Sequence, residues 1–158
     1  MDGQLLNLTK CDFEQIISEV AQFWGDERTL SFHHPIFLYE FGNTAYVMKE
    51  NDIVVAYLFG FISQTAPVAY VHLIGIRNSH KRRGLGRRLY EHFSEYAIKQ
   101  GCKELKAITT PANHASIAFH KSIGMILNGE EMENGIPVIK DYSGPGQHRV
   151  VFSKPINM

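Results

Sequence analysis

Five cations and two glycines crowd one short stretch of this chain. Lys81, Arg82, Arg83, Gly84, Leu85, Gly86, Arg87 and Arg88 follow an apolar run that ends at Gly75–Ile76. Glycines without side chains let backbone N–H groups come close to a ligand. The pattern turns helical at about Leu85, and a helix N-terminus adds unpaired donors and a positive dipole end. Together with the side-chain charge this makes an anion cradle suited to a pyrophosphate. The plain alternative is an ordinary strand-to-helix connection with solvated basic residues.

What is missing narrows the phosphate ligand. The run Gly84–Leu85–Gly86–Arg87–Arg88–Leu89 lacks the third glycine of a dinucleotide fingerprint, and no Gly-x4-Gly-Lys-Ser/Thr occurs in the chain. The stretch resembles the acyl-CoA-binding segment of the GNAT superfamily of N-acetyltransferases. There a strand ending in a small–aliphatic pair leads into Arg/Gln-x-x-Gly-x-Gly/Ala. Here the pair is Gly75–Ile76 and the loop is Lys81–Arg82–Arg83–Gly84–Leu85–Gly86. Lys81 stands where the family carries Arg or Gln; it keeps a charge but not a bidentate fork. A second run, Asn113 to Met125, resembles the family's Asn, small residue, Tyr, Gly-Phe pattern through Asn113, Ser116, His120 and Gly124–Met125. The resemblance is strong from about Val68 to Met125 and rests on element order elsewhere.

The resemblance implies an acyl-CoA-dependent N-acetyltransferase, with acetyl-CoA as co-substrate and no metal. It places Lys81, Arg82, Arg83, Gly84, Leu85, Gly86 and Arg87 on the CoA pyrophosphate and a backbone oxyanion donor near Ile74 or Ile76. Asn113 and Ser116 would meet the pantetheine arm. Asn113 and His120 lie two helical turns apart, about 10 Å on one polar face, a spacing that suits that arm. An amine acceptor must lose a proton before it attacks the thioester, and the thiolate leaves more readily with a proton donor nearby. His72, four residues before Ile76, occupies a position where some members carry a catalytic histidine; it is the expected base. Tyr70, on the same expected face, could order a water. His120 stands in for the usual tyrosine acid, with Tyr142 in reserve. A core histidine at 72 and a solvated polar face at 113–120 are the plain alternatives.

The elements that must position these groups are readable from pattern. Leu5, Leu6 and Leu8 suggest an edge strand. Thr9 or Asp12 can cap a helix with Phe13, Ile16, Ile17 and Val20 on its apolar face, ending near Phe23–Gly25. Residues Asp26 to Gly42 are mixed, and Phe32, Phe37, Tyr39 and Phe41 are expected in the core or walling a pocket. Strands follow over Thr44–Met48 and Ile53–Ser63, with Gly60 as a possible bulge site, and then Val68–Ile76. In the last of these Tyr70, His72, Ile74 and Ile76 share one face by alternation. A helix with Leu85, Leu89, Phe93, Tyr96 and Ala97 inward stops at Gly101. A strand at Leu105–Thr109 and a helix from Asn113, with Ala115, Phe119 and Ile123 inward, come next. Residues Ile136–Phe152 read as two strands joined by a glycine–proline loop. The order β–α–loop–β–β–β–α–β–α–β–β predicts a single-domain α+β fold, a mostly antiparallel sheet flanked by helices.

Composition excludes other classes. The 158 residues carry 16 Lys+Arg and 16 Asp+Glu, so net charge is zero and a general nucleic-acid binder is not expected. Cys11 and Cys102 have no metal spacing and fit a reducing, cytoplasmic setting. None of the eight histidines pairs at ligand spacing, and His33, His34, His80, His92, His114 and His148 are expected at the surface. The opening Met1–Leu6 is expected to hold no signal peptide, and no apolar run reaches the ~20 residues of a membrane span. Expected partners are acetyl-CoA and an amine acceptor, with a homodimer as the oligomer to test. Glu40 and Asp141 are the acids best placed by sequence to meet a cationic amine. The rival reading is an acyl-CoA-binding sensor or structural domain with little turnover.

Overall fold

The computed structural model describes residues 4–157. The expectation for the opening stretch falls partly on residues 1–3, outside the described residues. In chain order the elements are β1 (Gln4–Asn7), α1 (Lys10–Ser18), α2 (Val20–Trp24), α3 (Ile36–Tyr39), β2 (Ala45–Glu50), β3 (Ile53–Ile62) and β4 (Val68–Ile76). They continue with α4 (Leu85–Lys99), β5 (Glu104–Thr109), α5 (His114–Ser122), β6 (Ile126–Asn128), β7 (Glu131–Glu133), β8 (Ile136–Val138) and β9 (Val150–Pro155). The fold is α+β with a mostly antiparallel sheet flanked by helices, as the element order predicts. The chain forms two compact units, one reaching to Ile62 and including Val71–Tyr96, the other joining Ser63–Tyr70 to the chain from Ala97 onward.

In the first unit β1, β2, β3 and β4 are successive neighbours in the sheet, with β1/β2 and β2/β3 antiparallel. Thr9 starts α1 with a capping box: its hydroxyl accepts from Asp12 N while the Asp12 carboxylate accepts from Thr9 N. The predicted first helix is broken at Glu19 into α1 and α2, and Gly25, at φ +84°, ends it where expected. Pairing of Val47 with Tyr57 and Ala45 with Phe59 puts these four on one side of the sheet. There they join Phe13, Ile16, Phe23, Phe37 and Leu73 in an apolar cluster. The intervening Tyr46 meets Phe93 and His92 of α4 instead. Apolar groups on both sides explain the almost unbroken hydrophobic run of β3.

The irregularity predicted at Gly60 lies elsewhere. Met48 pairs with Ala56 and Lys49 with Val54, so Val55 is the extra residue. Arg77 uses the kink: its N–H donates to Val55 O (2.8 Å), its Nε to Val54 O (2.9 Å) and its Nη2 to Glu19 (2.7 Å). The end of β4 is thereby pinned immediately before the glycine loop. Of the four aromatics in the mixed segment, Phe37 is buried and Phe41 half-buried, whereas Phe32 and Tyr39 are exposed.

In the second unit β9 lies between β5 and β6, antiparallel to both. Strands β6 and β7 are additions to the predicted order; β8, the strand expected from Ile136, pairs with β7 as a hairpin, and Ile139 just beyond it bridges to Arg149 ahead of β9. Three-residue strands are too short for alternation to register in sequence. The α4 C-terminus closes with Cys102 N bonded to Ala97 O (2.9 Å) and Gly101 at φ +83°, the left-handed stop its sequence called for.

Candidate functional site

Strand β4 keeps the predicted alternation. Ala69, Val71, Leu73 and Gly75 are buried, whereas Tyr70, His72, Ile74 and Ile76 are half-buried on the other face. Gly75 is glycine for a steric reason. A Cβ there would come within 2.7 Å of the Tyr57 ring.

The basic loop follows directly. A 3-10 turn at Asn78–His80 leads to Lys81, Arg82, Arg83 and Gly84, all exposed. Arg82 and Gly84 hold φ of +65° and +77°, and the space around Gly84 is open. Gly86 is buried in the first turn of α4. His80, expected at the surface, is half-buried: its Nε2–H donates to Glu50 (3.1 Å) and its Nδ1 meets Ser79 Oγ (2.7 Å). That hydrogen bond is the main reason the Glu50 carboxyl sits below its ordinary pKa. Arg83 approaches the same carboxylate at 4.0 Å. Arg88, in the first turn of α4, has its Nη1 buried with no hydrogen-bond partner among the described residues.

His72 is held on two sides. Its Nε2 lies 2.9 Å from Phe32 O, and a carbonyl only accepts, so Nε2 carries the proton and Nδ1 the lone pair. Phe37 stacks on the ring at 4.5 Å and 15°. Burial lowers its pKa, with the Phe32 hydrogen bond opposing, so the ring is neutral at pH 7.

In the second unit Asn113 caps α5, its Oδ1 accepting from Ser116 N (3.1 Å), which leaves the amide NH2 as a donor. The inward face of α5 differs from the predicted one. Ala115 is exposed and Phe119 half-buried, while Ile117, Ile123 and His120 are buried. His120 is 3% exposed and stacks on Phe152 at 4.3 Å and 9°. Its Nδ1 lies 2.8 Å from Ser116 O, so the neutral ring spends its one N–H on that carbonyl. Burial pushes its pKa down to about 4, with the Ser116 bond opposing. Donation to a leaving thiolate would need a second proton that burial opposes. Tyr142, half-buried in the loop after β8, lies under Lys106 Nζ, 5.5 Å from its ring centroid. The loop is closed by the Ile139–Arg149 bridge and by Gly146 N donating to the Asp141 carboxylate (2.8 Å). Burial raises the Tyr70 pKa, and Tyr142 adds to the effect.

The buried His120 carries a stability consequence. Its folded pKa lies below the unfolded value of 6.5, so the unfolded chain binds the extra proton first and stability falls as pH drops from about 6.5 towards 4. From pH 7.5 to pH 5 this one group should cost about 2 kcal/mol. Urea unfolding at the two pH values should show that loss in the wild type and a smaller one in His120→Phe; equal losses would contradict it.

Sequence reasoning missed His33. Expected at the surface, it is 4% exposed, bonded through Nδ1 to Thr29 O (2.8 Å) and through Nε2 to Tyr57 Oη (2.7 Å). No local signal marks it, because its partner Tyr57 is on a different element. Among the described residues no group of three metal-ligating side chains forms, and no helix is long and apolar enough to cross a membrane.

Residues 4–125 match the model of the acetyltransferase (GNAT) family. L-2,4-diaminobutyric acid acetyltransferase of Marinococcus halophilus is 32% identical over 84 residues, 52% of this chain and 49% of that protein. The match therefore spans about half the length of that relative. L-methionine sulfoximine/L-methionine sulfone acetyltransferase of Salmonella typhimurium is 26% identical over 131 residues, covering 78% of this chain and 76% of its own. In fold, the chain is similar to the crystal structure of the ribosomal-protein-S18-alanine N-acetyltransferase from Escherichia coli, at TM-score 0.70 and 20% identity, covering 100% of this chain and 96% of that one.

Proposed function

The chain belongs to the acetyltransferase (GNAT) family, and from that premise we propose that it moves an acetyl group from acetyl-CoA to a primary amine by direct attack, as a single catalytic domain. The observation that carries the reading lies within the first unit. A strand bearing a neutral histidine on its half-buried face ends, pinned by Arg77, at a basic glycine loop that opens a helix. In this reading Lys81, Arg82, Arg83 and Arg87 and the backbone of Gly84, Leu85 and Gly86 meet the pyrophosphate. Asn113 and Ser116 meet the pantetheine amides.

His72 Nδ1 takes the proton of the ammonium, directly or through a water that Tyr70 orders. The freed amine attacks the thioester carbon. Backbone N–H groups near Ile74 and Ile76 stabilise the tetrahedral oxyanion. Collapse breaks the C–S bond: the Tyr142 hydroxyl gives its proton to the departing sulfur, the new amide nitrogen sheds its second proton to water, and Tyr142 is reprotonated from solvent. We assign this step to Tyr142 and not to His120, because the His120 N–H is committed to Ser116 O.

The two curated relatives act on amino acids by name, which favours a small amino-acid-like amine as acceptor. The test is acetyl transfer from acetyl-CoA to a panel of diamino acids, methionine derivatives and peptides. Turnover on at least one small amine is expected. Acetyl-CoA binding with no turnover on any amine would favour the sensor reading instead. With the acceptor in hand, Tyr142→Phe should lower kcat about 10²-fold, the low end of acid catalysis, and leave the acetyl-CoA KM unchanged. An undiminished kcat would return the proton-donor role to water.

A further inference from the structure

We propose that His33 is a positioning residue for His72, acting through a buried Trp24–Tyr57–His33 relay that holds the Phe32 carbonyl against the His72 ring. The proposal rests on the reading of His72 as the base. The relay has one consistent set of protons. The Trp24 indole can only donate, so the Tyr57 oxygen accepts from it at 2.7 Å. Thr29 O can only accept, so His33 Nδ1 carries its proton. His33 Nε2 is then the acceptor for the Tyr57 hydroxyl proton, at 2.7 Å. Burial and the nearby His72 both keep His33 neutral, which preserves this arrangement.

Nothing about stability requires such a chain. Buried polar groups cost free energy until paired, and well-packed apolar groups of the same shape would serve about as well. What the chain does is fix geometry. Tyr57 cannot shift towards β4, because Gly75 is packed against its ring. His33 is tied to Tyr57, and its neighbour Phe32 presents the carbonyl that accepts from His72 Nε2 at 2.9 Å. Phe37, in the following short helix, sets the plane of the His72 ring and itself stacks on Phe59 at 5.8 Å. The segment from Thr29 to Phe37 contains only a three-residue 3-10 turn and the start of α3, so it has little internal structure to hold it. The relay supplies that anchor, and through Phe32 it decides which nitrogen of His72 is left as the base.

The test is nitrogen NMR of histidine-labelled protein, with His72 assigned by His72→Gln. In the wild type at pH 7.5 the His72 ring should be neutral, protonated on Nε2 and bare on Nδ1. Tyr57→Phe removes one hydroxyl and should convert this to a mixture of tautomers, with kcat lowered about tenfold and the acetyl-CoA KM unchanged. Trp24→Phe should shift the tautomers the same way, and serves if Tyr57→Phe does not fold. A folded Tyr57→Phe or Trp24→Phe protein with the wild-type His72 signature would overturn the proposal. A tautomer shift with turnover undiminished in both Tyr57→Phe and His72→Ala would leave the relay standing and remove the base assignment on which its catalytic meaning rests.

Discussion

Gly84→Asp is expected to weaken acyl-CoA binding by about 100-fold or more while the chain still folds. Gly84 holds φ +77°, and a Cβ built there meets nothing within 4 Å. Asp and Asn enter this left-handed region more readily than other side chains, so the backbone cost should be about 1 kcal/mol for either. The carboxylate adds a full negative charge inside an anion cradle. At about 5–6 Å from a phosphate, with an effective dielectric constant of about 20, one pair of like charges repels by about 3 kcal/mol. That is about 100-fold in affinity. Gly84→Asn shares the shape and the strain without the charge, so it isolates the electrostatic part. Calorimetry with CoA at one fixed, low ionic strength should rank wild type, then Asn, then Asp far below. If Asp binds as well as Asn, the pyrophosphate does not lie at this loop. Gly86 is a poorer probe because it is buried in the first turn of α4, where Asp would also disturb the fold.

The second large effect is expected at His72. The ring must be neutral to accept a proton, and burial holds its pKa below the ordinary 6.5. The value of kcat/KM should therefore rise with pH through an ionisation of the free enzyme below 6.5 and level off beyond it. The acceptor ammonium adds its own rising limb near its solution pKa. Two amines of different basicity separate the limbs, since the one that stays fixed belongs to the protein. His72→Ala should remove the fixed limb and lower kcat/KM by about 10²- to 10⁴-fold. A modest loss would point to a water chain, with proximity and the oxyanion donors carrying most of the rate. Identical profiles in wild type and His72→Ala would make His72 a structural histidine, stacked on Phe37 and bonded to Phe32 for packing alone.

Part of this architecture was settled by short-range chemistry that the sequence displays openly. Thr9 and Asp12 form a capping box within four residues, and Gly25, Gly101 and Gly124 take the left-handed conformation that follows a helix. Alternation along Val68–Ile76 placed Tyr70, His72, Ile74 and Ile76 on one face without reference to any other element. The glycine–basic loop is local in the same sense, since its meaning lies in residue types packed into a few positions.

Tertiary structure decided the rest, because the deciding partners are far along the chain. Val55 bulges where β2 and β3 pair, a matter of register between strands that no single strand records. The hydrophobic pattern of α5 pointed Ala115 inward, whereas the buried position went to His120. A polar ring becomes a core residue once Phe152 stacks on it and the Ser116 carbonyl accepts its N–H, and no hydropathy pattern registers such a pairing. His33 is buried for the same reason, satisfied at both nitrogens by Thr29 and by Tyr57 twenty-four positions away. Sequence periodicity reports where apolar side chains gather; it is silent on polar ones whose burial depends on hydrogen bonds made only after the chain has folded.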